Sequence, residues 1–311
     1  MTLGVLVLLG PTASGKSDLA LRVARWLMAR GQPAAIVNAD SMLVYRGMDI
    51  GTAKPSPAER AEVPHYLVDT MELTEPASVA EFQRAARAAI ADCRRDGVQP
   101  IVVGGSALYL RAITDRFEFP PSDPATRAAL EEELAALGPA PLYARLQALD
   151  PAAAAGIQPA NGRRIVRALE VIAVTGSFRS TLPEPTYELD GVVQVGLALD
   201  RARMDARITA RVDAMWANGL PGEVQSLLAD GLRDAPTAAK AIGYRQTIDF
   251  LDGKLTETQA KELIALRTRQ FSRRQLAWWR RDPRITWLPA EPPPAAAALA
   301  ALLPGLSRRV E

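Results

Sequence analysis

Hydrophobic and polar positions follow two different periods along the first hundred residues. Short apolar runs, typical of buried strands, are followed by segments in which apolar residues recur at helical spacing and stop at a glycine. Strands that alternate with helices indicate an α/β fold with a parallel sheet flanked by helices. The predicted strands of this part are residues 3–9, 34–40, 65–69 and 100–105.

The pattern changes near residue 119, where the proline-rich stretch FPPSDPATR begins. Short helical segments with proline and alanine breaks follow, without a clear strand, which predicts a helical insertion domain. A strand pattern returns at 192–199, and a long helix is predicted from about residue 256 towards 281. We therefore predict a discontinuous core of residues 1–118 and 190–288, an insertion of residues 119–189, and a tail rich in proline and alanine at 289–311, with a short helix or disorder.

Composition narrows the class of protein only slightly. The 311 residues carry a formal net charge of +2, and no apolar run reaches the length of a membrane span. The N-terminal segment has no basic start, and its apolar run belongs to a predicted strand, so we expect a cytoplasmic protein. The single cysteine, Cys93, excludes an internal disulfide and a zinc module with several cysteines. Nothing indicates a subunit interface, and we expect a monomer.

The stretch GPTASGKS follows the first predicted strand and opens a helix, and it fits the phosphate-loop pattern G-x-x-x-x-G-K-[ST]. In such loops, backbone amides and a helix N-terminus bind anionic phosphate. Lys16 adds a positive charge, and the hydroxyl of Ser17 is a candidate ligand for Mg²⁺. The motif predicts a site for a diphosphate or a longer phosphate chain without specifying a nucleotide. Its residues are Gly10, Pro11, Thr12, Ala13, Ser14, Gly15, Lys16 and Ser17.

Two further polar residues follow predicted strands, where the ligands of parallel sheets gather. Asp40 could be a metal-binding acid, a general base or a helix cap, and its position does not separate these roles. Ser106 either forms a turn or directs a hydroxyl at a phosphate or an acceptor base. On a later helix, Arg207 and Arg211 are four residues apart, so they share a face and either bind a phosphate together or form a solvated pair.

A densely basic segment with interleaved aromatic residues lies near the C-terminus. Arg267, Arg274 and Arg281 are spaced seven apart on the predicted long helix, and Asp282 is the only acidic residue between 267 and 284. This distribution favours contact with an RNA or DNA backbone over a face of salt bridges. The residues RRIVR at 163–167 form a second basic cluster.

Several segments together resemble the tRNA dimethylallyltransferases, also called tRNA isopentenyltransferases, of the bacterial type. They are GPTASGKS, NADSMLVYRGMDIGTAKP, VVGGSALYLRA and NGRRIVRALEVIAVTG, followed by RITARVDAM, KAIGYRQ and RRQLAWWRRDPRITWL. The resemblance implies a P-loop NTPase-like parallel sheet flanked by helices, with a helical insertion domain. It also implies transfer of a dimethylallyl group from dimethylallyl diphosphate to N6 of the adenosine 3′-adjacent to the anticodon. The chain departs from the family pattern at Leu43, Ser106 and Ala277, where glutamine, threonine and threonine are common.

The resemblance assigns roles to the candidate residues. Asp40 matches the catalytic carboxylate and would take a proton from the adenine amine, and Ser106 would orient that amine or reach the diphosphate. The phosphate loop, Lys16, Arg211 and Mg²⁺ held partly by Ser17 would stabilise the departing diphosphate. The insertion would clamp the anticodon stem-loop of tRNA, whose target base must flip out of its stack. The tRNA contacts implied are Asp40, Ser41, Met42, Leu43, Ser106, Arg127, Arg163, Arg164, Ile165, Val166, Arg167, Arg267, Arg274 and Arg281.

Two other functions remain open from the residues alone. A P-loop kinase of a nucleoside or another small metabolite would share the loop, Mg²⁺ and an acidic residue at a strand end, and it would consume ATP. An RNA-binding ATPase would release phosphate when stimulated by RNA. Transfer of a prenyl group to tRNA without ATP separates the implied activity from both.

Overall fold

The computed structural model describes residues 3–116, 118–181 and 183–303. These residues divide into two compact units. The first unit contains the described residues up to 116 and from 187 onwards, and the second contains those between. Within the described residues, no helix is both long enough and apolar enough to cross a membrane.

The first unit is built on a sheet of six parallel strands, which confirms the predicted α/β class. The strands are β1 (Val5–Leu9), β2 (Ala34–Asn38), β3 (His65–Tyr66), β4 (Gln99–Gly104), β5 (Val192–Ala198) and β6 (Ile285–Pro289). Their order in the sheet is β3-β2-β4-β1-β5-β6. Because β4 pairs with both β1 and β2, the segments that follow these three strands are neighbours at the carboxyl edge.

Helices of the first unit pack against both faces of this sheet, and several helices of the chain begin at capping side chains. In chain order the helices are α1 (Lys16–Met28), α2 (Pro57–Glu62), α3 (Val79–Arg95), α4 (Ala107–Thr114), α5 (Pro124–Leu137), α6 (Pro139–Leu149), α7 (Pro151–Ala155), α8 (Gly162–Thr175), α9 (Arg201–Ala217), α10 (Leu220–Ala229), α11 (Tyr244–Leu251), α12 (Glu257–Trp279) and α13 (Ala296–Ala300). Thr256 and Gln259 form a capping box at the start of α12. The helix ends at Trp279, so Arg281 lies beyond it.

The sixth strand and the chain that follows it belong to the first unit. Periodicity did not predict β6, because this short edge strand is defined by its pairing with β5. After it, Leu299 and Leu303 are buried in the apolar cluster that also contains Leu19 and Leu27 of α1. Residues 289–303 therefore pack with the core and do not form a separate tail, and α13 is the short helix that the sequence predicted as one alternative for this stretch. Residues 304–311 of that predicted tail lie outside the described residues.

Helices α5 to α8 form the second unit around an aliphatic core. Three of them have proline in the first turn, where its missing amide is tolerated. Ile165 and Val166 of α8 are 0% and 3% exposed and belong to the same buried cluster as Leu142 and Leu146. Their side chains stabilise the unit by packing, which corrects the prediction only as far as contact of these two side chains with tRNA is concerned.

Glu170 of α8 is fully buried and binds two of the arginines that were predicted to contact tRNA. Its carboxylate accepts hydrogen bonds from Arg127 Nη2 at 2.7 Å and Arg167 Nη1 at 2.9 Å. The Ser122 hydroxyl (2.9 Å) and the Asp123 amide (3.0 Å) donate to its other oxygen. Burial raises the pKa of Glu170, but these hydrogen bonds outweigh burial and lower the pKa to about 2. Arg127 and Arg167 therefore stabilise the second unit.

Replacing Glu170 by glutamine should destabilise the second unit by about 2 kcal/mol, because the amide places a donor against two guanidinium groups. Amide hydrogen exchange in α5 and α8 at neutral pH measures this loss. With its pKa lowered from 4.5 to about 2, the carboxylate stabilises the unit above pH 4.5, and this contribution is lost as the pH falls towards 2. The free energy of unfolding, measured by urea titration with circular dichroism, should therefore depend less on pH in this range in Glu170→Gln than in the wild type.

The matched control is Glu133→Gln, which removes a partly exposed pair with Arg145 in the same unit. Its effect on amide protection should stay within about 0.5 kcal/mol. Equal effects of the two substitutions would contradict the assignment of Glu170 as the main buried anchor of this unit.

Candidate active site

The phosphate loop, residues 10–17, has the backbone conformation of an anion site. Ala13 (φ 67°) and Gly15 (φ 87°) adopt left-handed conformations. Gly15 is the N-cap of α1 and has no side chain that could accept hydrogen bonds from the first amides of the helix. Ser14 Oγ is buried and makes no hydrogen bond with a described residue. An uncapped helix N-terminus carries free donors and the positive end of the helix dipole, which favours a phosphate.

The loop opens into a cleft at the carboxyl edge of the sheet. The first turns of α1, the ends of β2 and β4, the segment 52–55 and α9 line this cleft. The predicted site residues that lie there are Thr12, Lys16, Ser17, Asp40, Leu43 and Arg211. The apolar residues that lie there include Leu21, Ile36, Val68 and Val103. The cleft thus combines a charged part with an apolar part.

Lys16, Arg211 and Asp40 line the cleft and influence one another electrostatically. Burial lowers the pKa of Lys16 to about 8; Asp40 opposes the shift and Arg211 adds to it. Burial also lowers the pKa of Arg211, and Asp40 again opposes the shift. Lys16 Nζ donates to the carbonyl of Pro11 at 3.3 Å, which leaves further donors of this ammonium for a ligand. Asp18, Lys54 and Glu59 also line the cleft, but Asp18 pairs with Arg22, and Lys54 pairs with Asp49 and Asp69. Lys16 and Arg211, which have only Asp40 as an opposing charge between them, favour an anionic ligand.

Asp40 follows β2 on a turn that holds its backbone in place. Asn38 Oδ1 accepts from the Asp40 amide at 2.7 Å, and Asn38 Nδ2 donates to the Asp40 carbonyl at 2.9 Å. Asp40 Oδ1 accepts from the Met42 amide at 2.9 Å, and Oδ2 has no hydrogen-bond partner within the part of the chain that the structure describes. No helix begins between residues 39 and 45, which are all described, so Asp40 is not a helix cap. Its second oxygen is available to a proton or a cation.

The two arginines of α9 that were predicted to share a phosphate separate in the structure. Arg207 pairs with Glu291 and donates to the carbonyl of Ala13 at 3.4 Å. Arg211 Nη2 donates to the Thr52 carbonyl at 3.2 Å and lines the cleft. This corrects the prediction of a joint site. Glu291, which is 84 residues away in sequence, neutralises Arg207 and leaves Arg211 as the cation of the pair in the cleft.

Ser106 lies at the start of α4, beside the cleft rather than among its lining residues. Gln275 of α12 joins this turn to the phosphate loop. Its Oε1 accepts from the Thr12 amide at 3.2 Å, and its Nε2 donates to the Gly105 carbonyl at 2.8 Å. A Cβ on Gly105 would lie 2.6 Å from that Nε2 and 3.0 Å from the carbonyl oxygen of Gly10, so a larger residue would displace the Gln275 side chain. Sequence reasoning missed Gln275 because it stands in a basic stretch 263 residues from Thr12.

Tyr109 of α4 is a second polar residue that the sequence did not single out. Burial raises the pKa of Tyr109 to about 12, with Tyr45 and Asp40 adding to the shift and a hydrogen bond with Ser41 opposing it. The phenol therefore stays protonated near Asp40. Tyr109 comes close to the turn after β2 because β2 pairs with β4, and this pairing joins segments that are far apart in sequence.

The three arginines of the basic segment do not all lie on one face of a helix. Arg267 and Arg274 are exposed on α12, whereas Arg281 is exposed beyond its end. The spacing of seven therefore places the first two arginines on one face, and the prediction is wrong for Arg281. Trp279 is buried and Trp278 packs edge-on against it with ring centroids 6.0 Å apart, so both contribute to packing.

The parallel sheet and the phosphate loop define an α/β protein of the P-loop class, with a charged cleft at the carboxyl edge of its sheet. Comparison with known proteins identifies the family: residues 43–282 match the family model described as IPP transferase. The chain belongs to the IPP transferase family.

Curated relatives and solved structures agree with this assignment. The chain is 56% identical over 288 residues to the tRNA dimethylallyltransferase of Kineococcus radiotolerans, covering 92% of this chain and 90% of the relative. It is 53% identical over 306 residues to that of a Nocardioides species, covering 97% of each. It is also similar to the full-length tRNA isopentenylpyrophosphate transferase of Bacillus halodurans, with 34% identity, a TM-score of 0.68, and coverage of 98% and 97%. A eukaryotic dimethylallyltransferase acting on tRNA matches with 25% identity, a TM-score of 0.79, and coverage of 96% and 78%.

Proposed function

We propose that this protein transfers a dimethylallyl group from dimethylallyl diphosphate to N6 of the adenosine 3′-adjacent to the anticodon of tRNA and releases diphosphate. One observation carries the proposal. Asp40 lies in the same cleft as Lys16, Arg211 and residues of the phosphate loop, so a proton acceptor and a cradle for a leaving diphosphate are adjacent. The names of the relatives point to the same group and the same class of acceptor.

In the proposed reaction, N6 of adenine forms a bond with C1 of the prenyl group while the bond from C1 to the diphosphate oxygen breaks. The electron pair of the broken bond leaves with diphosphate, and the proton lost from N6 goes to Asp40 Oδ2. The adenine amine is a weak nucleophile because its lone pair is delocalised into the ring, so a positioned base accelerates the attack. The adenine must leave its stack to reach the cleft.

Negative charge grows on the diphosphate as it departs. Lys16, Arg211 and the amides of the phosphate loop stabilise this charge with donors that are already in place. The apolar side of the cleft, which includes Leu21, Ile36 and Val68, provides a surface for the five-carbon chain. The diphosphate of the donor therefore binds in the charged part of the cleft, and its five-carbon chain binds in the apolar part.

Mg²⁺ is the expected cofactor, and the residues present fit it. Ser17 lies in the first turn of α1 and lines the cleft together with Asp40. The described residues contain no group of three or more His, Cys, Asp or Glu arranged around a metal. Mg²⁺ does not need such a group, since it usually takes one or two protein oxygens and completes its shell with water and phosphate oxygens. When bound, it neutralises charge on the diphosphate.

The tRNA contacts are proposed from surface residues of each unit. Ser41, Met42 and Leu43 form the half-buried turn that follows β2 beside Asp40. Arg163 and Arg164 are exposed on α8 of the second unit. Arginines at such positions bind phosphate independently of sequence, and tRNA loops are recognised largely by shape and by unstacked bases.

Transfer of radiolabel from dimethylallyl diphosphate to a tRNA transcript, with Mg²⁺ and without ATP, tests the proposal. Nucleoside analysis should find the label on N6 of the adenosine next to the anticodon, and a transcript with guanosine at that position should stay unlabelled. Absence of transfer together with ATP-dependent phosphorylation of a small metabolite would indicate a kinase instead. ATP hydrolysis that rises with RNA would indicate an RNA-dependent ATPase.

Charge reversal at Arg267, Arg274 and Arg281 should weaken tRNA binding and reduce its dependence on salt. Each lost phosphate contact lowers the slope of log affinity against log salt concentration by about 0.7 to 0.9, so the triple variant should lose up to about 2 to 3 in slope. Filter binding across a salt series measures it. Reversal at Arg201, Arg22 and Arg30, exposed or half-buried residues outside α12, is the matched control. Equal slopes for both triple variants would exclude the C-terminal arginines as backbone contacts.

A further inference from the structure

The carboxylate of Glu223 accepts four hydrogen bonds from groups that are far from it in sequence. Three come from consecutive backbone amides, those of Asp49 (3.1 Å), Ile50 (2.6 Å) and Gly51 (3.3 Å). The fourth comes from the hydroxyl of Tyr244 at 2.6 Å. Charged acceptors make the stronger hydrogen bonds found in proteins, so this carboxylate is an anchor for a segment that contains no helix or strand of its own.

The anchored segment leads directly into the cleft. Gly51 lies against the ring of Tyr244, and a Cβ at this position would come within 2.4 Å of that ring. The next residue, Thr52, lines the cleft, and its carbonyl accepts from Arg211 Nη2 at 3.2 Å. Glu223 therefore holds the chain as far as Gly51, and the next residue, Thr52, binds Arg211 through its carbonyl.

At the other end of the segment, the side chain of Lys54 forms a second anchor. Lys54 Nζ is buried and donates to Asp69 at 2.5 Å and to the Tyr45 carbonyl at 2.7 Å, and it pairs with Asp49 at 2.7 Å. The ammonium of Lys54 is thus engaged within the protein although its side chain reaches the cleft. The Thr52 carbonyl lies between these two anchors, and its position depends on both.

We propose that Glu223 is a positioning residue for the leaving diphosphate. By holding residues 49–51 it sets the place of the Thr52 carbonyl, and through that carbonyl it orients the guanidinium of Arg211. The identity of the ligand rests on the proposed function. A half-buried guanidinium that loses its acceptor is unfavourable and takes other orientations. Loss of the Glu223 anchor therefore weakens diphosphate binding without altering the phosphate loop or Asp40.

Glu223→Gln in the full-length protein tests this proposal. The glutamine amide places an N–H donor against backbone N–H groups, so at least one of the three amides loses its acceptor. Calorimetry should show roughly tenfold weaker binding of inorganic diphosphate in the presence of Mg²⁺, the effect of one lost hydrogen bond to a charged group. KM for dimethylallyl diphosphate should rise more than kcat falls. Tyr244→Phe, which removes one of the four donors, should have a smaller effect in the same direction.

Arg211→Ala supplies the decisive comparison. In that background, Glu223→Gln should change the diphosphate affinity by less than about twofold, because the group that Glu223 positions is gone. The control is Asp252→Asn in the same unit, which removes an acceptor of Arg233 (2.8 Å) and should lower the melting temperature without changing the diphosphate affinity. An equal effect of Glu223→Gln in both backgrounds, or a lower melting temperature with unchanged affinity, would overturn the proposal.

Binding of inorganic diphosphate does not require prenyl transfer, so the two proposals fail separately. If the wild-type protein binds diphosphate but transfers no prenyl group, the proposed function is overturned. The effect of Glu223→Gln on diphosphate affinity can still be measured in that case. Wild-type protein that binds no diphosphate would overturn both. Hydrogen exchange at the amides of residues 49–51 should be faster in Glu223→Gln and unchanged in Asp252→Asn. Unchanged exchange in Glu223→Gln would overturn the inference even if the affinity fell.

Discussion

Asp40→Asn is expected to slow the single-turnover rate of prenyl transfer by a hundredfold or more, within the range of about 10² to 10⁴ that a positioned general base contributes. Asparagine is isosteric and its carbonyl can still accept from the Met42 amide, as Asp40 Oδ1 does at 2.9 Å. The turn after β2 should therefore persist. The substitution removes only the oxygen that would take the proton from N6, so tRNA affinity should stay within about threefold.

Rapid-quench measurement with saturating tRNA and dimethylallyl diphosphate separates this chemical step from binding. Asp18→Asn is the matched control, because Asp18 also lines the cleft while its carboxylate is 75% exposed and lies 3.5 Å from Arg22. Its rate should remain within about threefold of the wild type. A large loss of tRNA binding in Asp40→Asn with an intact single-turnover rate would refute the assignment of Asp40 as the base.

Lys16→Met is expected to lower kcat/KM for dimethylallyl diphosphate by roughly a hundredfold or more, the loss expected when a preorganised donor to a developing anion is removed. The lowered pKa of about 8 adds a pH signature. Below pH 8 the ammonium is charged and binds diphosphate, and above pH 8 the free protein holds a neutral amine that must take up a proton on binding. Affinity for diphosphate should therefore fall as the pH rises through about 8.

Calorimetry in two buffers of different ionisation enthalpy measures this proton uptake. Lys16→Met should lose the part of the pH dependence that has its midpoint near 8, and the remainder belongs to the ligand itself. Lys261→Met, which removes an ammonium paired with Asp213 at 2.7 Å, should keep the wild-type profile. Unchanged donor kinetics in Lys16→Met would count against the whole phosphate site.

Much of the first unit could be predicted from sequence because its signals are local. An apolar run followed by a glycine-rich turn and a helical period predicted β1, the phosphate loop and α1, and the structure contains them in that order. Thr256 and Gln259 marked the start of α12 through a capping box, which involves residues three apart. Asp40 was predicted at the end of a strand, and the parallel pairing of β2 and β4 brings it into the cleft.

The errors concern residues whose partners are distant in sequence. Ile165 and Val166 stand among arginines, and only the packing of α5 to α8 shows that they face a core. Arg207 and Arg211 share a helical spacing, yet Glu291 takes the first and leaves the second in the cleft. The residues adjacent in sequence predict neither the burial of Ile165 and Val166 nor the pairing of Arg207 with Glu291. Each depends on a segment that is distant along the chain.

The class of fold, the phosphate loop and the charged residues available for chemistry can be predicted from the amino-acid sequence, since periodicity, capping and motif spacing involve residues close together along the chain. Which of these residues lie together depends on contacts between segments that are distant along the chain. Folding brings Asp40, Lys16 and Arg211 into one cleft and joins Gln275 to the phosphate loop at Thr12 and to the turn after β4 at Gly105. Such contacts arise because buried polar groups must find partners wherever the folded chain supplies them.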